Sequence, residues 1–192
     1  MKRIKCVLMT QTNGIESVRV FFALWPSDTE RSTLTEWQIP LKRLAGGRVM
    51  SADSLHATLV FIGGIDQSRL DALQLTASEV NMERFELRLA QAHYWGHNHI
   101  VYAAPDQMPV QLAHLVNTLE TSLNRNHFQF DRHTFKPHIT LLRHAHWTDQ
   151  QLPQMQPINW LVEDFALVQS RTKPDVANYR VLARFPLRAG AT

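Results

Sequence analysis

The amino-acid sequence predicts a mixed fold of strands and helices organised as two similar lobes, and three observations predict it. Strand and helix signals alternate along the chain, with no low-complexity linker dividing it. The order strand, proline, helix, strand occurs twice. Each second strand carries the same motif, as His56-Ala57-Thr58-Leu59 and His138-Ile139-Thr140-Leu141. The strand beginning at Val18 precedes His56 by 38 positions, and the strand beginning at Ile100 precedes His138 by the same 38. One pair of units is too few for a solenoid. It points to two lobes facing each other across a pseudo-two-fold axis, with a cleft between them as the natural ligand site.

Residues Val18 to Trp25 are β-branched and aromatic and stop at Pro26, which reads as a strand. Ser27 or Asp28 offers an N-cap, and Leu34 with Trp37 predicts a helix ending before Pro40. Gly46-Gly47 marks a turn. Leu55 to Ile62 is a near-continuous apolar run closed by Gly63-Gly64, the pattern of a buried strand. Leu70, Leu73, Ala77 and Val80 recur at helical spacing over about 67–81. Phe85 to Trp95 alternates like one half-exposed strand, and His99 to Ala104 is another, stopped by Pro105. Pro109 opens a helix whose apolar face is Leu112, Leu115, Val116, Leu119 and Leu123. Pro137 precedes the strand His138 to Leu142, Arg143 to Trp160 reads as a long surface loop, and strands follow near Phe165 to Gln169 and Tyr179 to Pro186.

Composition narrows the function classes. The 192 residues suit one compact domain or two intimately packed lobes, and a 44% hydrophobic share supplies a core. A net charge of +3 permits an anionic ligand but argues against a long non-specific DNA-binding surface. The one cysteine, Cys6, excludes an internal disulfide framework and a cysteine-rich zinc site. No apolar run approaches the ~18 residues that span a bilayer. Residues 1–16 read as an extension before a single domain over 17–192, with the cytoplasm as the default location.

The duplicated motif carries the chemistry. On a strand, side chains alternate faces, so His and Thr of each copy share one face. Two imidazoles suit proton transfer near neutral pH, one taking a proton from water and the other giving one to a leaving oxygen. The hydroxyls of Thr58 and Thr140 can donate to non-bridging phosphate oxygens. The guanidinium of Arg143, at the end of the second motif strand, can neutralise developing charge. None of this needs a metal or another cofactor. A single His-x-Thr on an apolar strand means little. Two copies in matched contexts are a different matter, because a purely structural role has no reason to keep both polar residues. Arg143 has no basic counterpart in the first copy, where Phe61 holds the matching place.

Other candidates carry weaker signals. Phe21 shares a strand face with Arg19 and Ala23, so it suits stacking on a base about as well as the core; Trp95 and Tyr179 favour packing. His97 with His99, and His144 with His146, have spacing that ligates a metal on a strand, against the commoner reading of solvated loop histidines. Arg125, Arg132 and Lys136 are candidates for lining the path of an anionic ligand, against plain solvated charge.

With these residues assembled, the chain resembles the two-histidine (2H) phosphoesterases, and among them the LigT-like RNA 2′,3′-cyclic phosphodiesterases, also called 2′-5′ RNA ligases. The resemblance rests on Arg19-Val20-Phe21-Phe22-Ala23, on Leu55 to Gly63 around the first motif, and on Phe135 to Arg143 around the second. It covers about 17–188, and it departs at Gly64, where relatives often carry an acidic residue. The resemblance implies a bilobal α+β fold, with lobes of antiparallel sheet and helices on their outer faces. It implies hydrolysis of a terminal 2′,3′-cyclic phosphate to a 2′-phosphate, and reversible ATP-independent 2′-5′ ligation. On that basis His56 is the proton donor and His138 the proton acceptor; the near-symmetric sequence itself leaves the two roles open. The expected partner is RNA bearing a 2′,3′-cyclic phosphate end or a 2′,5′ linkage, bound by a monomer with no obligate protein partner and no membrane. A rate profile centred around neutrality is expected. A 2′,5′-phosphodiesterase and a non-catalytic RNA-end binding module are the competing readings.

Overall fold

The structure is a computed structural model and describes residues 17–146, 151–173 and 176–190. The extension over 1–16, with Cys6, lies outside the described residues. The strands are β1 Ser17–Leu24, β2 Arg48–Val49, β3 Ala57–Asp66, β4 Phe85–Leu89 and β5 Gln91–Trp95. They continue as β6 Ile100–Ala104, β7 Ile139–Arg143, β8 Ile158–Val162, β9 Asp164–Lys173 and β10 Val176–Pro186. The α-helices are α1 Asp28–Ala45, α2 Leu70–Ser78 and α3 Val110–Arg125. No helix of the described residues is long and apolar enough to cross a membrane.

One antiparallel sheet runs through both lobes in the order β10-β9-β1-β3-β7-β6-β5, with β2 added to β7; β4 and β8 form a separate pair. The two motif strands are neighbours, joined through the single pair Ala57 and Ile139. Beyond it they part. β1 stays beside β3, while β2 lies along β7, with Arg48 opposite Arg143 and Val49 opposite Leu142. His56 and His138 each stand one residue before this junction, so the separation of the strands opens the cleft at the motifs.

The helices tie the lobes together. α1 follows β1 yet packs on β7 and β8, and α3 follows β6 yet packs on β3 and α2. Ser27 caps α1 in a capping box with Glu30, as its sequence predicts. The helix does not end before Pro40 but continues to Ala45, with Gly46 at its C-cap. Proline there removes one backbone donor, whose partner would be the carbonyl four residues earlier, in exposed Glu36. Buried Leu41 and Ala45 hold the last turn.

Other boundaries also differ from the sequence expectation. The predicted strand Phe85 to Trp95 is two strands in two sheets. The buried positions are Phe85, Leu87 and Leu89, then Ala92, so the parity changes at Ala90, where the chain passes between sheets. The predicted loop Arg143 to Trp160 contains the start of β8, whose Ile158, Trp160 and Val162 are buried in alternation. β3 runs past Gly63-Gly64 to Asp66, and Gly63 supplies the φ of +82° that the irregular pairing with β1 requires. The equal 38-residue spacing does not describe the pairing. Leu24 faces Ala57 and Ala103 faces Ile139, intervals of 33 and 36 residues. The lobes are related units whose strand registers have drifted by three residues.

Candidate active site

Both histidines are tethered in the same way. Nδ1 of His56 lies 2.7 Å from the Ser54 carbonyl, and Nδ1 of His138 lies 2.8 Å from the Lys136 carbonyl. A carbonyl only accepts, so Nδ1 carries the proton in each ring and Nε2 holds the lone pair. The intervening residue turns the carbonyl back onto the ring. Leu55 is extended at φ −72° and ψ 120°, and proline fixes φ at the matching position, Pro137. Two unlike residues thus produce one local geometry.

The leucine of each motif is a bulge. Ala23 pairs with Thr58 and Phe22 with Val60, leaving Leu59 without a partner on β1. Tyr102 pairs with Thr140 and Val101 with Leu142, leaving Leu141 without one on β6. An extra residue reverses the alternation beyond it. Strict alternation would send Arg143 to the face opposite Thr140; the bulge returns it to the cleft, and Leu141 and Leu142 are both buried. The same device brings Phe61 to the cleft beside Thr58.

Gln38 pins the second bulge. Its buried amide donates to the carbonyls of Leu141 at 3.0 Å and Met50 at 2.9 Å, and the Met50 amide also donates to the Leu141 carbonyl. Gln38→Leu is expected to lower stability by roughly 1–3 kcal/mol by leaving a buried carbonyl unpaired. Urea unfolding would show this as an earlier midpoint.

The resulting cleft, about 210 Å³, brings together His56, Thr58, His138, Thr140 and Arg143. Arg19 and Phe61 line it from the first lobe, and the Arg19 guanidinium lies 4.7 Å from the Phe61 ring centre. The absence of a basic residue at Phe61 is therefore made good from the adjacent strand. Phe21 also lines the cleft, but it is buried, with its ring 4.9 Å from that of His56. Trp25 stacks on His56 at 5.4 Å and Tyr179 meets it edge-on at 4.9 Å. His138 meets Trp95 at 4.7 Å and Tyr102 at 5.7 Å, both edge-on. The sequence reading missed Trp25 and Tyr102; the available signal was their place on, or just after, a strand that abuts a motif strand.

Burial dominates the electrostatics. Desolvation pushes His56 down to about 4, against its bond to Ser54, and the charges of His138, Arg143 and Arg31 lower it further. Desolvation also holds His138 below the ordinary value, opposed by its Lys136 bond and reinforced by Arg143. Both shifts favour the neutral ring in the free protein.

The remaining candidates lie elsewhere. His97 is exposed near Trp95, while His99 and His146 face each other with ring centres 6.4 Å apart. His144 is exposed with a φ of +53°. Among the described residues no three His, Cys, Asp or Glu side chains gather as a metal-ligand set. Arg125 pairs with Glu79 and Arg132 bonds Asn124, both outside the cleft; Lys136 contributes its carbonyl to His138.

Two antiparallel lobes meeting at paired His-x-Thr strands define a 2H phosphoesterase of the LigT type. Residues 25–174 match the family model of the 2′-5′ RNA ligase superfamily. The chain belongs to that superfamily. It is 32% identical to an RNA 2′,3′-cyclic phosphodiesterase of Escherichia coli (strain K12) over 173 residues, which cover 90% of this chain and 98% of the relative. A relative of the same name from Thermus thermophilus is 31% identical, covering 89% of this chain and 91% of its own length. The crystal structure of E. coli LigT in apo form superposes with a TM-score of 0.79 at 29% identity, covering 90% of this chain and 98% of that one. The LigT complex with 3′-AMP gives the same TM-score at 30% identity, covering 90% and 99%.

Proposed function

We propose that this chain hydrolyses RNA terminal 2′,3′-cyclic phosphate to a 2′-phosphomonoester by acid–base catalysis between His56 and His138; its relatives carry the name RNA 2′,3′-cyclic phosphodiesterase. The observation that carries the reading is the matched Nδ1 tether, which leaves two basic Nε2 atoms at one phosphate-sized cleft. Nε2 of His138 takes a proton from water as its oxygen bonds to phosphorus. The bond from phosphorus to the 3′ oxygen breaks, and protonated His56 gives that oxygen its proton. Thr58 and Thr140 donate to the non-bridging oxygens, and Arg143 balances the negative charge that builds on them. A 5′-hydroxyl in place of water forms a 2′,5′ linkage by the same steps. Residues 17–192 act as one monomeric unit on RNA ends in the cytoplasm.

One feature supports this division of roles. His56 lies on the face of Trp25, which stabilises an imidazolium once the substrate anion raises its proton affinity. Arg143 lowers the proton affinity of both rings and so does not tell them apart.

The pH dependence follows by sign. The base must be neutral, so the rate falls in acid; the donor must be protonated, so the rate falls in alkali. Both pKa values lie below 6.5 in the free protein. The maximum of kcat/KM is therefore expected on the acid side of pH 6.5 rather than around neutrality. The kcat profile is expected at higher pH, because bound phosphate raises His56. Incubation with 2′,3′-cyclic mononucleotides in EDTA tests the activity itself. Release of the 2′-phosphate is expected; no turnover of any cyclic phosphate, with cleavage of 2′,5′ dinucleotides, would contradict it.

A further inference from the structure

A second cavity, about 430 Å³, adjoins the catalytic cleft on the His56 side and shares Ser54 and Tyr179 with it. Trp25, Arg31, Ser51, Asp53 and Asn178 complete the walls that matter here. Arg31 is anomalous. Its Nε and one Nη nitrogen are shut off from solvent without a hydrogen-bond partner among the described residues. The guanidinium carbon lies 5.1 Å from the Trp25 ring centre, and Arg31 forms no ion pair with Asp28 or Asp53, the carboxylates that influence it. A guanidinium with no carboxylate partner on the wall of a cavity suits an anion, and its other Nη, which is not shut off, is the donor within reach.

We propose that Arg31 binds the phosphate on the 5′ side of the terminal nucleotide, so that the site recognises an RNA chain end and not only its cyclic phosphate. This rests on the donor role of His56. The departing 3′ oxygen belongs to the ribose, so a donor at His56 places the ribose beside that ring. The 5′ oxygen of the ribose and the next phosphate then continue on the same side, into the cavity walled by Arg31. The Trp25 indole touches both groups, His56 at 5.4 Å and Arg31 at 5.1 Å, and so sets one relative to the other. Ser51 and Asn178 offer neutral donors on the same walls, while Asp53 opposes an anion and limits the gain.

Calorimetric titration with adenosine 2′-phosphate and adenosine 2′,5′-bisphosphate tests this without turnover. The bisphosphate is expected to bind the wild-type protein roughly tenfold more tightly. Arg31→Gln should abolish that advantage, and Arg31→Lys should keep part of it. The readout is a ratio, so any general effect of the substitution on the cleft cancels. Equal affinities on the wild type, a preserved ratio in Arg31→Gln, or no measurable binding of either nucleotide would overturn the proposal. The wild-type ratio stands even if a variant fails to fold. A tenfold ratio without turnover of cyclic phosphates would instead count against the catalytic reading and leave the anion subsite standing.

Discussion

His138→Ala is expected to lower kcat/KM by roughly 10²–10⁴-fold, and His56→Ala by a similar factor. Each substitution removes the lone nitrogen available for one proton transfer. The carbonyls of Ser54 and Lys136 that hold the rings cannot replace it, because a carbonyl only accepts. The two losses are not additive. Once the base is gone, a donor has little leaving group to serve, so the double variant should be little worse than the poorer single variant. Single-turnover assays on a 2′,3′-cyclic mononucleotide separate chemistry from product release. Full activity in either single variant would exclude that histidine from the chemistry.

Arg143→Gln is expected to cost roughly 10²-fold, mainly in kcat, since the guanidinium matters most as charge accumulates on the phosphate. A second consequence distinguishes this from simple loss of binding. Arg143 depresses the proton affinity of both imidazoles, so its removal raises both. The whole kcat/KM profile should then move toward alkaline pH. A rate loss with an unmoved profile would place Arg143 outside the electrostatics of the two rings. Arg143→Lys should recover the profile more fully than the rate, because a lysine restores charge but not the planar fork of donors.

The two motif histidines that the cleft brings together were legible in the sequence because residue chemistry and strand context agreed twice. The two-lobed α+β plan was legible for the same reason. Arg143 was assigned to the site from its place at the strand end, but the device that puts it there was not visible. Leu141 reads as one more apolar strand residue, and only the pairing with β6 shows it to be a bulge. The exchange of helices between lobes was also out of reach. The apolar face of α1 shows that it packs, not on which strand. Pro40 misled for a definite reason: a proline ends a helix where its missing donor is needed, and beside solvent-exposed Glu36 it is not. The strand change at Ala90 was missed, although the sequence carries it as a shift in alternation between Leu89 and Ala92. Arg31 gave no signal at all, being one charge on a half-exposed helix turn. Its significance comes from Trp25 and the cavity, which tertiary structure alone brings together.

The central claim is that two imidazoles divide donor and acceptor roles across one phosphate. The residual kcat/KM of the two alanine variants, followed from about pH 4 to about pH 9, tests it most directly. His138→Ala should lose the acidic fall in rate and keep the alkaline one, because no base remains to be protonated. His56→Ala should do the reverse. Retention of both limbs in both variants would contradict the account, as would loss of the same limb in each.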